Sequence, residues 1–526
     1  MQNAHPLDRF DALFAEYRPF GDSDYLHQQL QLRYQRRLAK ISALLPLAGD
    51  LSRALDQAPR DIRHRVVGDP VVRHTIEQTL RHVVNSAQDG LSLAECEDVF
   101  RATLHHLKEG RRGGPLESGA GTARHLGAQP FHGWIWSEDH GDDVFGRLFR
   151  KIVHDHFRGE PLCSPSAPDL ARLAKGAQLL GALLPLCSRS VLGHTHVVVV
   201  VPHVGAWTQK GSCSEFGIGG TIFINQGMLR NPWWVADRLL HESLHQKLYD
   251  FRQTHSLLAR DLAPESSFSK ASAATVYAIW NAGGGARSNY WDTFRAVAAF
   301  HVYVHLAVLC AQSERHKAEL VRRFGAPDAS FPTMTSRREA LERAHYLGRK
   351  IKESCWHELG PAGRLLVDWL TAILNAIDPA PPPAESTYIG LLLHRYVMEA
   401  IMVAGNERSP ELTTPLPKLI NEEAETVRRV LSAADGGGAD VNRLDDAMAR
   451  RPDEGDEAAF LRFRSLVAKI LRKLSPDGYR LRGASSAHSG ALETMIQTMV
   501  ENSSEQLYRA NRGDGSAQKD VLVDAS

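Results

Sequence analysis

One stretch of this chain, NPWWVADRLLHESLHQKLYDF from Asn231 to Phe251, constrains the fold more than any other. It sets His241, Glu242 and His245 in the order His-Glu-x-x-His within an amphipathic run. Asn231 followed by Pro232 reads as an N-cap and a first helical position, so the run is predicted to be a helix. A helix turns by about 100° per residue, which puts the two histidines within about 40° of each other, with Glu242 beside them. Two neutral imidazoles at that spacing can grip one divalent ion and leave the carboxylate free to handle a proton. With 25 histidines in 526 residues, chance supplies about 0.07 such motifs in a chain of this kind, so the neighbouring sequence has to be weighed as well.

That neighbouring sequence points the same way. Thr221 to Asn225 (TIFIN) is a short β-branched run bounded by Gly219 and Gly220, and His196 to Val201 (HVVVVV) is a buried-strand pattern ended by Pro202. Two strands and then a metal helix is the order used by zinc-peptidase-like cores. On the helix itself Trp234, Arg238, Leu248, Tyr249 and Arg252 share the ligand face by the same angular reckoning. Tyr249 is the candidate catalytic side chain there besides Glu242, and Arg252 is a second candidate to touch substrate.

The third ligand decides the class of chemistry. The metzincin pattern would need Gly and His at 248 and 251, where this chain has Leu248 and Phe251. A thermolysin-like site takes a Glu from a following helix, and Glu265 stands at a suitable separation, beside Pro264. The run WDTFRAVAAFHVYVHLAVLCAQ, Trp291 to Gln312, is apolar on nearly every side and should be a central helix. It carries His301 and His305 one turn apart, and His305 is the preferred third ligand because a rigid element holds it.

Composition bounds the rest. The charge of +1 gives no bias toward nucleic acid or an acidic membrane. Six scattered cysteines form no Cys-x-x-Cys pair, so neither a thiolate zinc site nor a disulfide framework is expected. The first twenty residues hold no apolar signal core and no run of eighteen apolar residues occurs, which makes a cytoplasmic location the expectation. His64, His74, His82, His105 and His106 share no ligand spacing and are read as surface or core histidines, and His154 and His156 point to different faces of one helix. The basic stretch Phe460 to Leu474, with Arg462, Arg464, Lys469, Arg472 and Lys473, is read as a solvated helix face.

The expected architecture is mainly α with a small β-sheet (α+β). An N-terminal helical region (1–108) precedes a Gly-rich linker (109–128), a metal-binding core (129–378) and a Pro-rich linker (379–385). A C-terminal helical region (386–510) and a disordered tail (511–526) complete the chain.

The sequence HESLHQKLY, the helix ending Tyr303-Val304-His305 and the later LGPAGRLLVDWL (Leu359 to Leu370) together resemble the His-Glu-x-x-His peptide-modification family that accompanies ribosomally made peptide natural products. The likeness runs from about Ile222 to Leu370. It implies a zincin-like core and an Fe(II), 2-oxoglutarate-dependent oxygenase that hydroxylates a side chain of a peptide, with a leader-bearing precursor as the candidate form of that substrate. Carried over by position, His241, His245 and His305 become iron ligands and Arg295 holds the 2-oxoglutarate carboxylate, for which a guanidinium fork is suited. Zn(II) is the alternative metal, with Glu242 as general base for peptide hydrolysis. A non-catalytic metal- or peptide-binding protein is the third reading.

Overall fold

The computed structural model describes residues 5–512 apart from 86–89, 128–132, 263–271, 283–288, 329–333, 379, 384–385, 406–414, 434–437, 450, 452, 480 and 482–485. Six helices open the chain: α1 (Pro6–Glu16), α2 (Ser23–Ile41), α3 (Pro46–Gln57), α4 (Arg60–Gly68), α5 (Pro70–Asn85) and α6 (Leu93–Lys108). A single turn, α7 (Pro115–Ser118), leads to strands β1 (Arg124–His125) and β2 (Trp134–Ile135). Helices α8 (Val144–His156), α9 (Ala167–Leu183) and α10 (Pro185–Leu192) come next. Strands β3 (Val197–Val201), β4 (Ser212–Ser214) and β5 (Thr221–Asn225) then lead into α11 (Pro232–Thr254), which carries the His-Glu-x-x-His motif. A two-stranded ribbon, β6 (Thr275–Tyr277) and β7 (Tyr290–Asp292), precedes α12 (Thr293–Arg315), α13 (Lys317–Phe324), α14 (Arg337–Lys350), α15 (Pro361–Ile377) and α16 (Ile389–Gly405). The chain is thus mainly helical with a small sheet, as the sequence predicts.

The main sheet runs β1-β2-β3-β5-β4, with β2, β3 and β5 parallel and an antiparallel strand at either edge. Strand β3 is five valines, all buried, because both faces of the sheet are covered. Side chains alternate across a strand, so Val198 and Val200 join Ile222 and Ile224 in one core, and Val197, Val199 and Val201 join Phe223 in another. The first core belongs to α9, α11 and α12. The second belongs to the N-terminal helices, through Leu30, Val71, Val99 and Phe100, and to α8 through Phe149. The sheet therefore joins the N-terminal helices to the metal helix. Residues 109–128, expected as a linker, contribute α7 and the edge strand β1.

Helix α11 begins where the cap signals place it. The Asn231 side chain accepts the Trp233 N–H at 3.0 Å, and Pro232 follows as the first residue. Gln246 fixes its height on the sheet: its Oε1 accepts from Gly220 N at 2.7 Å and its Nε2 donates to Thr221 O at 2.8 Å. Helix α12 has an apolar window of mean hydropathy 1.6 that is 83% buried, so it runs through the protein core. The sequence Leu359-Gly360-Pro361 opens α15, with Pro361 as its first residue. Its glycines serve packing: a Cβ on Gly360 or Gly363 would lie 2.2 or 2.0 Å from the carbonyl oxygens of Ser256 and Leu257 just after α11.

Beyond α16 the helices Leu416–Ala433, Gly438–Met448, Asp456–Leu474 and Ser486–Arg512 surround a core of their own, built on Tyr396, Val427, Phe463, Val467 and Ile496. One residue of the expected basic face behaves otherwise. Arg464 is fully buried, pairs with Glu423 at 2.7 Å and Glu399 at 3.2 Å, and ties three helices together. Lys469, Arg472 and Lys473 do lie on the exposed side.

Helix α9 approaches α11 closely at Gly176, where a Cβ would come within 2.2 Å of Val235 Cγ1. Gly181, on the same helix, has nothing within 4 Å. Gly176→Val is expected to destabilise the protein by about 1–3 kcal/mol through overpacking. Gly181→Ala should stabilise it by about 0.5–1 kcal/mol through lost unfolded-state entropy. Denaturant midpoints read both, and equal midpoints for the two variants would refute the close approach.

Candidate metal centre

The rings of His241 and His245 stand 4.9 Å apart at an interplanar angle of 67°. One donor atom from each, with a carboxylate oxygen of Glu242, fits within a span of 4.8 Å. Both histidines are half-buried, whereas Glu242 is buried. The Nδ1 atoms of both rings are buried without a hydrogen-bond partner, so neither nitrogen is committed to a structural network. Two imidazoles and a carboxylate form a donor set that a divalent transition metal accepts. Burial also keeps the rings in the ligating state. It lowers the pKa of His245 to about 4 and that of His241 well below the usual range, helped at both by the charge of Arg238.

The carboxylate is held by the edge strand. Ser212 Oγ donates to Glu242 Oε1 at 2.6 Å and Ser214 Oγ donates to Oε2 at 2.8 Å. The serines are two apart on β4 and so face the same side, toward the helix. Sequence reading missed both, although the alternation Ser-Cys-Ser just before TIFIN carried the signal. Burial raises the pKa of Glu242, and the two hydroxyls oppose that rise. With an oxygen bonded to each serine, the carboxylate is oriented before anything binds.

Guanidinium groups act on the other side of the pair. Besides burial, Arg238 and Arg343 hold down the pKa of His241, and Arg238 and Arg295 hold down that of His245. Each arginine is positioned by neighbours. Arg238 pairs with the adjacent Asp237, whose other oxygen accepts from Thr335 N at 2.9 Å. Arg295 lies over the Trp291 ring at 4.7 Å. Arg343, on α14, lies over Tyr303 at 5.2 Å and donates to its hydroxyl at 3.2 Å. Arg343 was not anticipated, since no local pattern ties α14 to a motif about a hundred residues earlier.

The other predicted site residues divide. Tyr249 stacks along His245 with ring centroids 6.2 Å apart, and its hydroxyl donates to Ser214 O at 3.3 Å. Arg252 lies over Phe294 and Phe216 and pairs with Asp261 at 3.3 Å, a packing position rather than a ligand-facing one. His305 is not brought into the group. Its ring stacks on Phe14 at 3.7 Å and its Nδ1 donates to His301 O at 2.7 Å. A helix turn earlier, His301 is near enough to His245 to feel its charge, and its Nδ1 is buried without a partner. Glu265 lies outside the described residues. No family model and no curated protein matches this chain.

Two outcomes follow from this geometry. Replacing both serines (Ser212→Ala with Ser214→Ala) strips a buried carboxylate of its donors and should cost about 1–3 kcal/mol per lost bond. Because the pKa of Glu242 is raised in the folded state, its contribution to stability is present below the ordinary carboxylate pKa and is lost as pH rises through the folded value. The double variant should raise that value further, so its melting temperature should fall more steeply than wild type as pH rises from about 4 to 7. A parallel pH profile would contradict the assigned role. Second, His305→Leu should leave metal uptake by the His241–His245 pair within about twofold of wild type, since its ring serves packing against Phe14. Loss of that metal would place His305 among the ligands.

Proposed function

We propose that the protein is a metal-dependent, peptide-modifying oxygenase, in which His241 and His245 hold Fe(II) and the neighbouring arginines bind 2-oxoglutarate. The observation that supports this reading is that the charges of Arg238, Arg295 and Arg343 reach the histidine pair and lower its pKa values. Three guanidinium groups beside two neutral imidazoles create a site for an anion, and a dicarboxylate matches two forks at once. A peptide bond, being neutral, needs no such surround. Iron with 2-oxoglutarate, when bound, supplies a two-electron oxidation: dioxygen is reduced, the keto acid becomes succinate and CO2, and a substrate C–H becomes C–OH.

The chain's own groups do the rest. Arg295, the residue assigned by resemblance, and Arg343 orient the carboxylates. Glu242, immobilised by Ser212 and Ser214, places a fixed negative charge beside the ligand pair. Phe216, Phe294 and Tyr249 form an aromatic wall next to His245, which limits water on that side. Strand β4 is an edge strand that touches the metal helix, so an extended peptide adding along it would run past the metal.

The hydrolytic alternative, Zn(II) with Glu242 as base, draws on the same edge strand and on the nearness of the carboxylate to both histidines. The two serine hydroxyls already occupying its oxygens favour a positioning role over proton abstraction from a metal-bound water.

Anaerobic reconstitution with Fe(II) followed by 2-oxoglutarate should give a weak visible charge-transfer band. Arg295→Ala and Arg343→Met should each raise the 2-oxoglutarate concentration for half-maximal band by at least about tenfold, the loss of one charge-assisted contact, with iron content kept. Absence of the band together with zinc-dependent peptide cleavage would replace this function with hydrolysis.

A further inference from the structure

Behind α11, on the side away from His241 and His245, four histidines from three separate parts of the chain converge. His27 comes from α2, His64 from α4, and His194 and His196 from the segment entering β3. Ring centroids are 4.0 Å apart for His27 and His64, 4.4 Å for His27 and His194, and 4.9 Å for His64 and His196. The last equals the separation within the His241–His245 pair. Asp250 of α11 joins them. One donor atom from each of His27, His194 and Asp250 fits within a span of 4.8 Å, and all three residues are buried.

We propose that this cluster is a second metal site, in which a divalent transition-metal ion of the zinc class is held by His27, His194 and Asp250, with His64 as the fourth donor. Three imidazoles and one carboxylate are the ligands that zinc and its neighbours accept in a closed tetrahedral site. His196 packs beside these rings as a buried neighbour and not as a donor: its Nε2 lies against Gly68 of α4, where a Cβ would fall 2.0 Å away.

The proton balance closes within the site. In the metal-free arrangement Asp250 Oδ2 lies 2.7 Å from His194 Nδ1, and Oδ1 accepts from Arg73 Nη1 at 2.8 Å. His194 Nε2 then accepts from Ser23 Oγ at 3.0 Å, and Ser190 O, 2.9 Å from the same hydroxyl, is the acceptor to which it turns once Nε2 carries the proton. On binding, the His194 proton moves from Nδ1 to Nε2 and is donated to Ser23 Oγ. Nδ1 and Oδ2 then both face the ion, and no proton leaves the site. Arg73 keeps its hold on Oδ1 and orients the carboxylate from outside the coordination shell. A cavity of about 310 Å³, bordered by Glu16, Asp22, Asp24 and Ser190, reaches His27 from the surface and supplies an acidic access route. His64, which by spacing alone belongs with the core or surface histidines, is brought by the fold to a ring-centroid distance of 4.0 Å from His27.

The test is a metal count on the full chain. Protein stripped with chelator and titrated anaerobically with Co(II) should bind two ions, one per site, by equilibrium dialysis. The double variant His241→Ala/His245→Ala should retain one ion, and X-ray absorption at that ion should show scattering from several imidazoles. The variant His27→Gln/His64→Gln should lose one ion and keep the other. No ion in His241→Ala/His245→Ala, or a retained ion without imidazole scattering, would each overturn the proposal; a single wild-type ion that this variant keeps would count against the His241–His245 pair instead. Should the His27/His64 variant fail to fold by circular dichroism, the His241/His245 variant decides alone. Because the count uses no turnover, its failure is separate from failure of the oxygenase reading.

Discussion

The buried ion pair between Asp250 and Arg73 is the interaction on which the rest of this structure depends. Asp250 sits on α11 and Arg73 on α5, both almost fully buried, at 2.8 Å. A carboxylate taken out of water on its own would cost several kcal/mol, and here the guanidinium and the His194 imidazole offset that cost. The partners hold the Asp250 pKa below the usual carboxylate range against the opposing pull of burial. Lys247 is treated in the same way from α11: its ammonium donates to Gly21 O at 2.6 Å and to Ser190 Oγ at 2.8 Å, while burial lowers its pKa to about 8. Through these two residues the metal helix is bound to α5, to the turn between α1 and α2, and to α10. The N-terminal helices are thereby part of the site's scaffold.

Rotation about the helix axis explains why this can coexist with a reactive face. Asp250 is nine positions after His241, so the two side chains leave α11 about 180° apart. The histidines keep their Nδ1 atoms without hydrogen-bond partners, while Asp250 and Lys247, on the other side, tie the helix to its neighbours. A helix with buried polar groups on both sides is expensive to fold and hard to shift. That rigidity is what a pair of ligands needs if their geometry is to be set before the ion arrives.

The parts of this arrangement written in local sequence were legible. The N-cap at Asn231, the unbroken run of valines in β3 and the i, i+4 histidines each depend on residues within a few positions of one another, and each element formed where its pattern placed it. What long-range packing decides was not legible. Ser212 and Ser214 matter because β4 folds back beside β5, and Arg343 because α14 packs on α12. His305 shows the limit most clearly. On a helix buried all round, periodicity does not say which side meets the metal, and the ring that looked available is stacked on Phe14. The same limit hid the cluster of His27, His64, His194 and His196, whose members share no spacing. It also hid the burial of Arg464, whose partners Glu399 and Glu423 lie on other helices.

Charge placement also bears on the proposed binding of an anionic cosubstrate beside the histidine pair. The pair of histidines is neutral, and the nearest fixed negative charge, Glu242, is already engaged by two hydroxyls on the sheet side. On the opposite side Arg238 is partly neutralised by Asp237, and Arg343 donates to Tyr303, meets His394 and lies near enough to Glu339 to lower its pKa. Adding a doubly charged cation to this ring of guanidinium groups would raise the positive potential further. An incoming dianion would lower it, and would do so in a partly buried site where each charge interacts more strongly than in water. Metal and dianion should therefore favour each other's binding, each reducing the electrostatic cost of the other. A neutral substrate would gain nothing from the same groups, which is the physical reason the arginines discriminate between the two chemistries open to a His-Glu-x-x-His helix.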